Sequence, residues 1–379
     1  MILLGEVEEI RCHTKPPIRQ EEVPLAMGCW ILFVESGRAR FRDIDHDILA
    51  SRYEVKRLQF VNLRKTFADI GLMELGRQIR ASSLIVCWFG GLHAALFCLL
   101  GRLLGRPTIV IGGGYDVVLM PEIRYGIGIR PIGRVYAAIA FHLCTRVVVN
   151  SNDSREVLIR NYRVAREKVE VMYHGVDTFG DRAEWKYENK ERLAITVGAI
   201  SKENLSRKGI ESFVRAAVFL PAVKFEVIGK WSDNSVDYLR KISSSNVTFR
   251  NYINDAELVE AYRRAKVVVQ ASYHEGFGCA LAEAMSFGCV PVVTRRGALP
   301  EVVGDTGYYV EYGDIHGLRS AIAKALEDWD KAFAASKRAR ALFTISERRR
   351  RFFELVGTFA DVNEARTLLA LKPSKGLKG

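Results

Sequence analysis

Short apolar runs recur along the chain, separated by stretches whose apolar residues return at helical spacing. Cys29–Val34, Tyr53–Leu58, Leu84–Trp88, Thr108–Ile111 and Arg146–Val149 are nearly continuous in Val, Ile, Leu and aromatic residues. Runs of this length without alternation predict strands of a parallel sheet covered on both faces by the intervening helices. The same pattern restarts at Leu193–Gly198 and continues through Lys224–Gly229, Val247–Phe249, Lys266–Gln270 and Val290–Thr294. Between the two series lies Asp177–Lys190, polar and charged apart from Trp185 and Tyr187. The expectation is therefore an α/β protein of two Rossmann-like, doubly wound domains, 29–176 and 191–345, joined by a linker at 177–190. Residues 1–28, with Pro16-Pro17 and no clear period, read as an N-terminal extension, and 346–379 as a C-terminal helix and basic tail. In open sheets of this kind ligands bind beyond the strand C-termini.

Composition narrows the class. The 379 residues, 49% hydrophobic and 26% charged, suffice for two ordinary cores. No apolar run reaches the roughly 18 residues a membrane-crossing helix needs; Leu92–Leu104 comes nearest and is interrupted by His93 and Arg102. The start, Met1–Gly5 followed by Glu6, Glu8 and Glu9, lacks the basic region of a signal peptide. Seven cysteines without Cys-x-x-Cys spacing predict a reducing compartment, hence a cytoplasmic protein, and no zinc site. The net charge of +12 favours anionic partners. Clusters such as Arg38, Arg40 and Arg42, or Arg77 and Arg80, lie in the same half as Leu92–Leu104, which points to peripheral association with the inner face of an anionic membrane. No recognisable nucleic-acid motif accompanies the charge, so nucleic acid is disfavoured as a partner.

The most informative segment is His274-Glu275-Gly276-Phe277-Gly278-Cys279-Ala280-Leu281-Ala282-Glu283, two carboxylates eight positions apart across a Gly-x-Gly elbow. An apolar run precedes it and helix formers follow, so the glycines fall at a strand-to-helix turn. Such turns expose backbone N–H groups that favour a phosphate. Carboxylates beside an anion site serve hydroxyls instead. Phosphate flanked by hydroxyls describes a nucleotide sugar. The segment resembles the Glu-x7-Glu signature of retaining glycosyltransferases with the GT-B fold, the family four group in particular, and the likeness runs on through Ala284–Val293 and Gly297–Val303. Met172–Asp177 resembles the same family's Asn-Gly-Val-Asp hinge segment, with His174 in place of the usual Asn. The resemblance implies a GT-B architecture, whose C-terminal helix can cross back to the first domain, and no cofactor or metal. It implies that Glu275 faces the donor sugar, that Glu283, on the first turn of the helix, holds the ribose hydroxyls, and that the amides of Gly276, Phe277 and Gly278 meet the sugar and diphosphate.

The loop Gly198–Gly209 carries the family's Lys-Gly pair at Lys208-Gly209, whose lysine is implied to hold the donor phosphates. The arginine usual after the first glycine is replaced by Ala199; Arg207 or Lys202 are the candidates to supply the missing charge. In the first half the family's His-Gly-x-Asp segment reads Gly113-Gly114-Tyr115-Asp116, so the histidine is absent while Asp116 could orient acceptor or sugar, or cap the next segment. Gly37, the remnant of the early glycine loop, is implied to allow backbone approach to the donor, and backbone near Tyr252 and Ile253 to meet the base. Asp43-Ile44-Asp45, Asp45-His46-Asp47 and Asp328-Trp329-Asp330 match a metal-binding Asp-x-Asp only formally, since none follows a strand in a nucleotide-binding half.

These readings converge on a metal-independent hexosyltransferase that moves sugar from a nucleotide diphosphate donor to the hydroxyl of a lipid-linked or glycan acceptor. Retention follows from the resemblance and from no spacing in the chain. The missing histidine and arginine keep open a second class, a non-catalytic sugar-nucleotide-binding subunit of a transferase complex.

Overall fold

A computed structural model describes residues 30–37, 39–177 and 185–370, with side chains through 359. The expected extension 1–28, most of the polar centre of the linker and the basic tail lie outside the described residues. In chain order the first half comprises β1 (Trp30–Glu35), α1 (Arg40–Ala50), β2 (Glu54–Gln59), α2 (Leu63–Ile70), α3 (Leu72–Ala81), β3 (Leu84–Trp88), α4 (Leu92–Leu103), β4 (Thr108–Gly112), α5 (Pro131–Leu143), β5 (Arg146–Val149), α6 (Asn152–Tyr162) and β6 (Val169–Val171). The second half follows with β7 (Glu191–Val197), α7 (Lys202–Arg207), α8 (Ile210–Ala217), β8 (Lys224–Ile228), α9 (Ser235–Ile242), β9 (Val247–Arg250), α10 (Asp255–Arg264) and β10 (Ala265–Gln270). It ends with α11 (Cys279–Ser286), β11 (Val290–Thr294), α12 (Leu299–Val303), β12 (Tyr308–Val310), α13 (Ile315–Ala325), α14 (Trp329–Leu342) and α15 (Ile345–Ala370).

The strands build two six-stranded sheets, in the orders β2-β1-β3-β4-β5-β6 and β12-β11-β10-β7-β8-β9. Pairings are parallel, with β1 between β2 and β3 and β7 between β8 and β10. This is the doubly wound α/β class expected. The second sheet shows why its strands do not alternate. Leu193 and Ile195 of β7 pack into one core while Ala194 packs into the other; Val268 and Val293 go to the first, Val267, Val269 and Val292 to the second. Both faces are dry, so the middles of these strands stay apolar without alternating.

Two compact units emerge, 1–111 with 135–147 and 349–379, and 112–134 with 148–348. They divide otherwise than by a single boundary at 177–190, because 112–134 and 148–176 bond to the chain beyond 270. Asn152 and Asp153 N–H groups, capping α6, donate to the Glu301 carboxylate at 2.8 and 3.3 Å, and the Tyr173 hydroxyl does so at 2.8 Å. The linker's aromatics do anchor it: Trp185 donates to Ser336 and Tyr187 to the Leu326 carbonyl. Arg348 of α15 is buried and donates to the Met172 and Tyr173 carbonyls. From Arg349 the same helix groups with the first unit, where Phe353 meets Tyr53 edge-on.

In the first unit, β1 ends in Glu35, fully buried and bonded to Arg57 at 2.6 Å. Gly37 follows with φ +76°, and Arg42 donates to the Ser36 carbonyl. His93 is buried, its Nε2 2.6 Å from the Trp88 carbonyl. The acidic triplets are structural: Asp43 pairs with Arg57, Asp45 accepts from Trp88 Nε1, and Asp328 caps α14. Among the described residues no helix is long and apolar enough to cross a membrane.

Candidate functional site

The site is built at the C-terminal ends of β7 and β10, within the second unit. After β7, the Gly198 N–H donates to the Ile228 carbonyl and the chain enters α7, capped by Ser201 on the Asn204 N–H. This short helix stops at Lys208 because Gly209 adopts φ +64°. A Cβ at 209 would lie 2.0 Å from the Ala271 carbonyl oxygen, so only glycine lets this turn press on the end of β10. Lys208 is thereby laid over Gly198, where a Cβ would come within 2.8 Å of its Cδ. Its Nζ reaches Glu275 Oε1 at 3.1 Å.

Glu275 sits in the loop Ala271–Gly278 with its side chain 12% exposed. Ser272 Oγ donates to it at 3.2 Å, and the Arg207 guanidinium lies 3.8 Å away. Burial pushes the carboxyl pKa up, but the charges of Lys208 and Arg207, with hydrogen bonds from Lys208 and Gln270, hold it below the usual range. The group is a carboxylate with two cations on one side. Arg207 is itself fixed, donating from Nε and Nη2 to Asn204 Oδ1 at 3.2 and 2.8 Å and lying 4.7 Å above the Tyr125 ring. Tyr125 packs against Tyr115 and His274. Burial raises the Tyr125 phenol to about 12 and, with Arg207 adding to it against the pull of Glu275, lowers the His274 imidazole to about 4. His274 is thus neutral near pH 7, its Nε2 buried and without a hydrogen-bond partner.

The elbow lies beside a second glycine turn. A Cβ on Gly276 would lie 3.3 Å from the Gly114 Cα, so the two backbones face each other without side chains between them. The Gly276 carbonyl accepts from Ser151 Oγ at 3.0 Å and Ser154 Oγ at 3.4 Å. Gly278, at φ +97°, opens α11.

The predicted residues separate accordingly. Glu275, Lys208, Arg207, Gly276, Gly278 and Gly198 come together. Asp116 is 1% exposed and accepts the Gly113 N–H at 2.9 Å, so its carboxylate holds the Gly113–Asp116 turn. Phe277 is 3% exposed, its ring packed against Tyr173, His174 and Phe343, so only its backbone remains for a ligand. Glu283 stands in the second turn of α11, not the first, and accepts from the Tyr262 hydroxyl at 3.1 Å. Lys202 is exposed and its N–H serves Asp233, while Arg207 is the cation beside Glu275. Tyr252 is 54% exposed and Ile253 leans on the core. Gly37 belongs to the other compact unit. Tyr125, Ser151, Ser154 and Glu301 are contributors that sequence reasoning missed. Ser151 through Ser154 carry a visible helix-cap pattern, but nothing in it announces a bond to a residue more than a hundred positions away.

Residues 177–342 match the family model described as Glycosyl transferases group 1, and 70–178 that of Glycosyltransferase Family 4. The chain is 29% identical over 199 residues to a D-inositol 3-phosphate glycosyltransferase of Mycobacteroides abscessus, covering 48% of this chain and 44% of that one. It is 30% identical over 131 residues to an O-antigen chain mannosyltransferase B of Escherichia coli, covering 32% and 34%. The chain thus spans about half or less of the length of the curated relatives it matches. Among solved structures, Anabaena HepE in complex with UDP and glucose superposes with a TM-score of 0.66 at 17% identity, covering 87% of this chain and 100% of that one. A sucrose-phosphate synthase of Thermosynechococcus elongatus gives 0.66 at 16%, covering 88% and 100%. At such identities these two likenesses speak for the fold.

Proposed function

Given that the chain belongs to the glycosyltransferases of GT-B fold, we propose that it moves a hexosyl group, with retention, from a nucleotide diphosphate sugar to a hydroxyl of a lipid-linked or glycan acceptor at a membrane surface. The observation that carries this is Glu275 held by Lys208 at 3.1 Å, with Arg207 at 3.8 Å, beside the glycine elbow Gly276–Gly278.

Breaking a glycosidic bond to a diphosphate builds negative charge on the leaving oxygens, and fixed cations in a partly dry site stabilise that charge best. Lys208 and Arg207 are such cations. Glu275 offsets one of their two charges, so an arriving diphosphate meets a residual positive charge on cations already held in place. Glu275, kept ionised by the same pair, accepts hydroxyl donors of the sugar. Its place among cations makes it unsuited to deliver a proton, and the acceptor proton is assigned to the leaving phosphate oxygen. The backbone of Gly276 and Gly278 is assigned to sugar and phosphate, and Glu283 on α11 to the ribose.

The purified protein should slowly hydrolyse a nucleotide sugar in the absence of acceptor, and Glu275→Ala should abolish this. Binding of nucleotide sugar without turnover across acceptor types would instead favour the binding-subunit reading, which the substitutions at Gly113 and Ala199 support.

A further inference from the structure

Lys190 and Cys289 meet at the edge of the second sheet opposite the site, where its strands begin. Lys190 immediately precedes β7 and Cys289 immediately precedes β11, and in the order β11-β10-β7 the first residue of β10, Ala265, lies between them. Both side chains converge on its carbonyl. The Lys190 ammonium donates to the carbonyls of Tyr262, Arg263 and Ala265 at 3.0, 3.2 and 2.7 Å, closing the C-terminal end of α10 where a cation is favoured. The Cys289 thiol donates to two of the same carbonyls, Tyr262 and Ala265, each at 3.2 Å. Two shared acceptors thus hold nitrogen and sulfur together, 3.9 Å apart, from residues 99 positions distant in the chain.

The meeting place is dry. Cys289 is fully buried and Lys190 is 6% exposed. Trp185 of the linker packs over both: its ring centroid lies 5.7 Å from Lys190 Nζ, and a Cβ on Gly288 would stand 2.5 Å from its ring atoms. Burial lowers the Lys190 pKa and raises that of Cys289, and the attraction of each group for the other opposes the shift. One proton passed between them converts amine and thiol into ammonium and thiolate without changing the net charge buried there. The thiolate, the form an oxidant attacks, is reached in this way in spite of the burial.

We propose that Lys190 Nζ and Cys289 Sγ are the two ends of an oxidative cross-link, a nitrogen–oxygen–sulfur bridge formed with dioxygen. The ammonium, the thiol and one dioxygen give Nζ–O–Sγ, one water and one proton. An N–O and an O–S bond form, while the O–O bond, the S–H bond and two N–H bonds break. Nitrogen and sulfur each give up two electrons; dioxygen takes all four, one oxygen staying in the bridge and the other leaving as water. An interposed oxygen spans more of the 3.9 Å gap than a direct N–S bond would. Two equivalents of a dithiol return the four electrons and restore amine, thiol and water. The bridge would tie the end of the linker to the start of β11 across β10, at the far end of the strands from Glu275 and Lys208, so the inference goes beyond the function proposed above and does not depend on it.

Full-length protein, first reduced and then held in oxygen-saturated buffer, is followed by intact-mass and tryptic mass spectrometry. The expected product is heavier by one oxygen and lighter by two hydrogens, yields a peptide joining Lys190 to Cys289, and reverts with dithiothreitol. Because the bridge closes a loop between residues 99 positions apart, the oxidised chain should run faster than the reduced one in a denaturing, non-reducing gel. Cys289→Ser keeps a donor to the two carbonyls and Lys190→Arg keeps a cation beside them; each should abolish the joined peptide, and either variant alone suffices for the test. Glu275→Ala should form the bridge as the parent does. Oxidation of Cys289 to a sulfenic or sulfinic acid with Lys190 unmodified, a joined peptide that lacks the oxygen, or a parent in which both residues survive oxygen unchanged would overturn the proposal. So would a joined peptide that persists in Cys289→Ser.

Discussion

Lys208 carries the sharpest consequence at the residue scale, because it lies between a carboxylate it neutralises and a phosphate it is proposed to meet. A charge-assisted hydrogen bond is worth about 1.5–3 kcal/mol, so Lys208→Ala should lower turnover roughly tenfold to a few hundredfold if the bond tightens in the transition state. Donor affinity should change less; a variant with normal turnover and weakened binding would mark Lys208 as a ground-state anchor only. The same change removes the leading positive neighbour of Glu275, so the acid limb of the rate profile should move to higher pH. Two buried imidazoles give a second test. His93, beside the Arg42 charge, and His274, between Glu275 and Arg207, are both lowered to about 4, chiefly by burial. The unfolded chain therefore takes up these protons first as pH falls from about 6.5, and stability present at neutral pH is lost toward pH 4. Each should contribute a loss on the order of 2 kcal/mol by pH 5, read as a falling denaturant midpoint. His93→Gln should flatten that dependence.

Among the elements, the α7–α8 turn decides whether the site exists. Gly209 combines φ +64° with a carbonyl 2.0 Å from where a Cβ would stand, and a backbone atom cannot step aside as a side chain can. Gly209→Ala should cost at least ~2 kcal/mol in stability and lower activity further by lifting Lys208 away from Glu275. Gly198→Ala meets only the flexible Lys208 stem at 2.8 Å, so it should spare stability more than activity. Comparing denaturant midpoints with turnover for the two variants checks both. The contrast also shows what a sequence can and cannot carry. Strands with two dry faces announce themselves as unbroken Val and Ile runs, and β1, β3, β4, β7, β10 and β11 lie within a residue or two of their expected positions. The glycine elbow and its carboxylate are local in sequence and were legible for the same reason. Arg207 over Tyr125, Ser151 under Gly276 and Glu301 on α6 join residues 82 to 149 positions apart. No periodicity encodes such pairs; only the folded chain specifies them. At Asp116 an acid after glycines suits ligand and turn equally, and the bond from the Gly113 N–H became visible only in the folded chain.

For the molecule as a whole, ligand linkage joins the site to stability. A ligand that binds only the native state raises unfolding free energy by about 2.7 kcal/mol at a hundred times its dissociation constant. The cations that would receive a diphosphate are contributed by α7 and by Lys208 at its end, while the carboxylate is on the loop after β10; both pack on the same sheet of the second unit. Binding there should therefore raise the melting of that unit specifically. With UDP, GDP and ADP supplied in turn, one nucleoside diphosphate should give the largest shift, and adding its sugar should increase it because Glu275 then gains its hydroxyl partners. With the phosphate term assigned to Lys208 and Arg207, Lys208→Ala should reduce the shift for every base by a similar amount. A substitution at Tyr252 should act differently, changing the ranking of bases while leaving the common part intact. Equal shifts for all three diphosphates, untouched by either change, would remove the diphosphate from this site and with it the role assigned to the two cations.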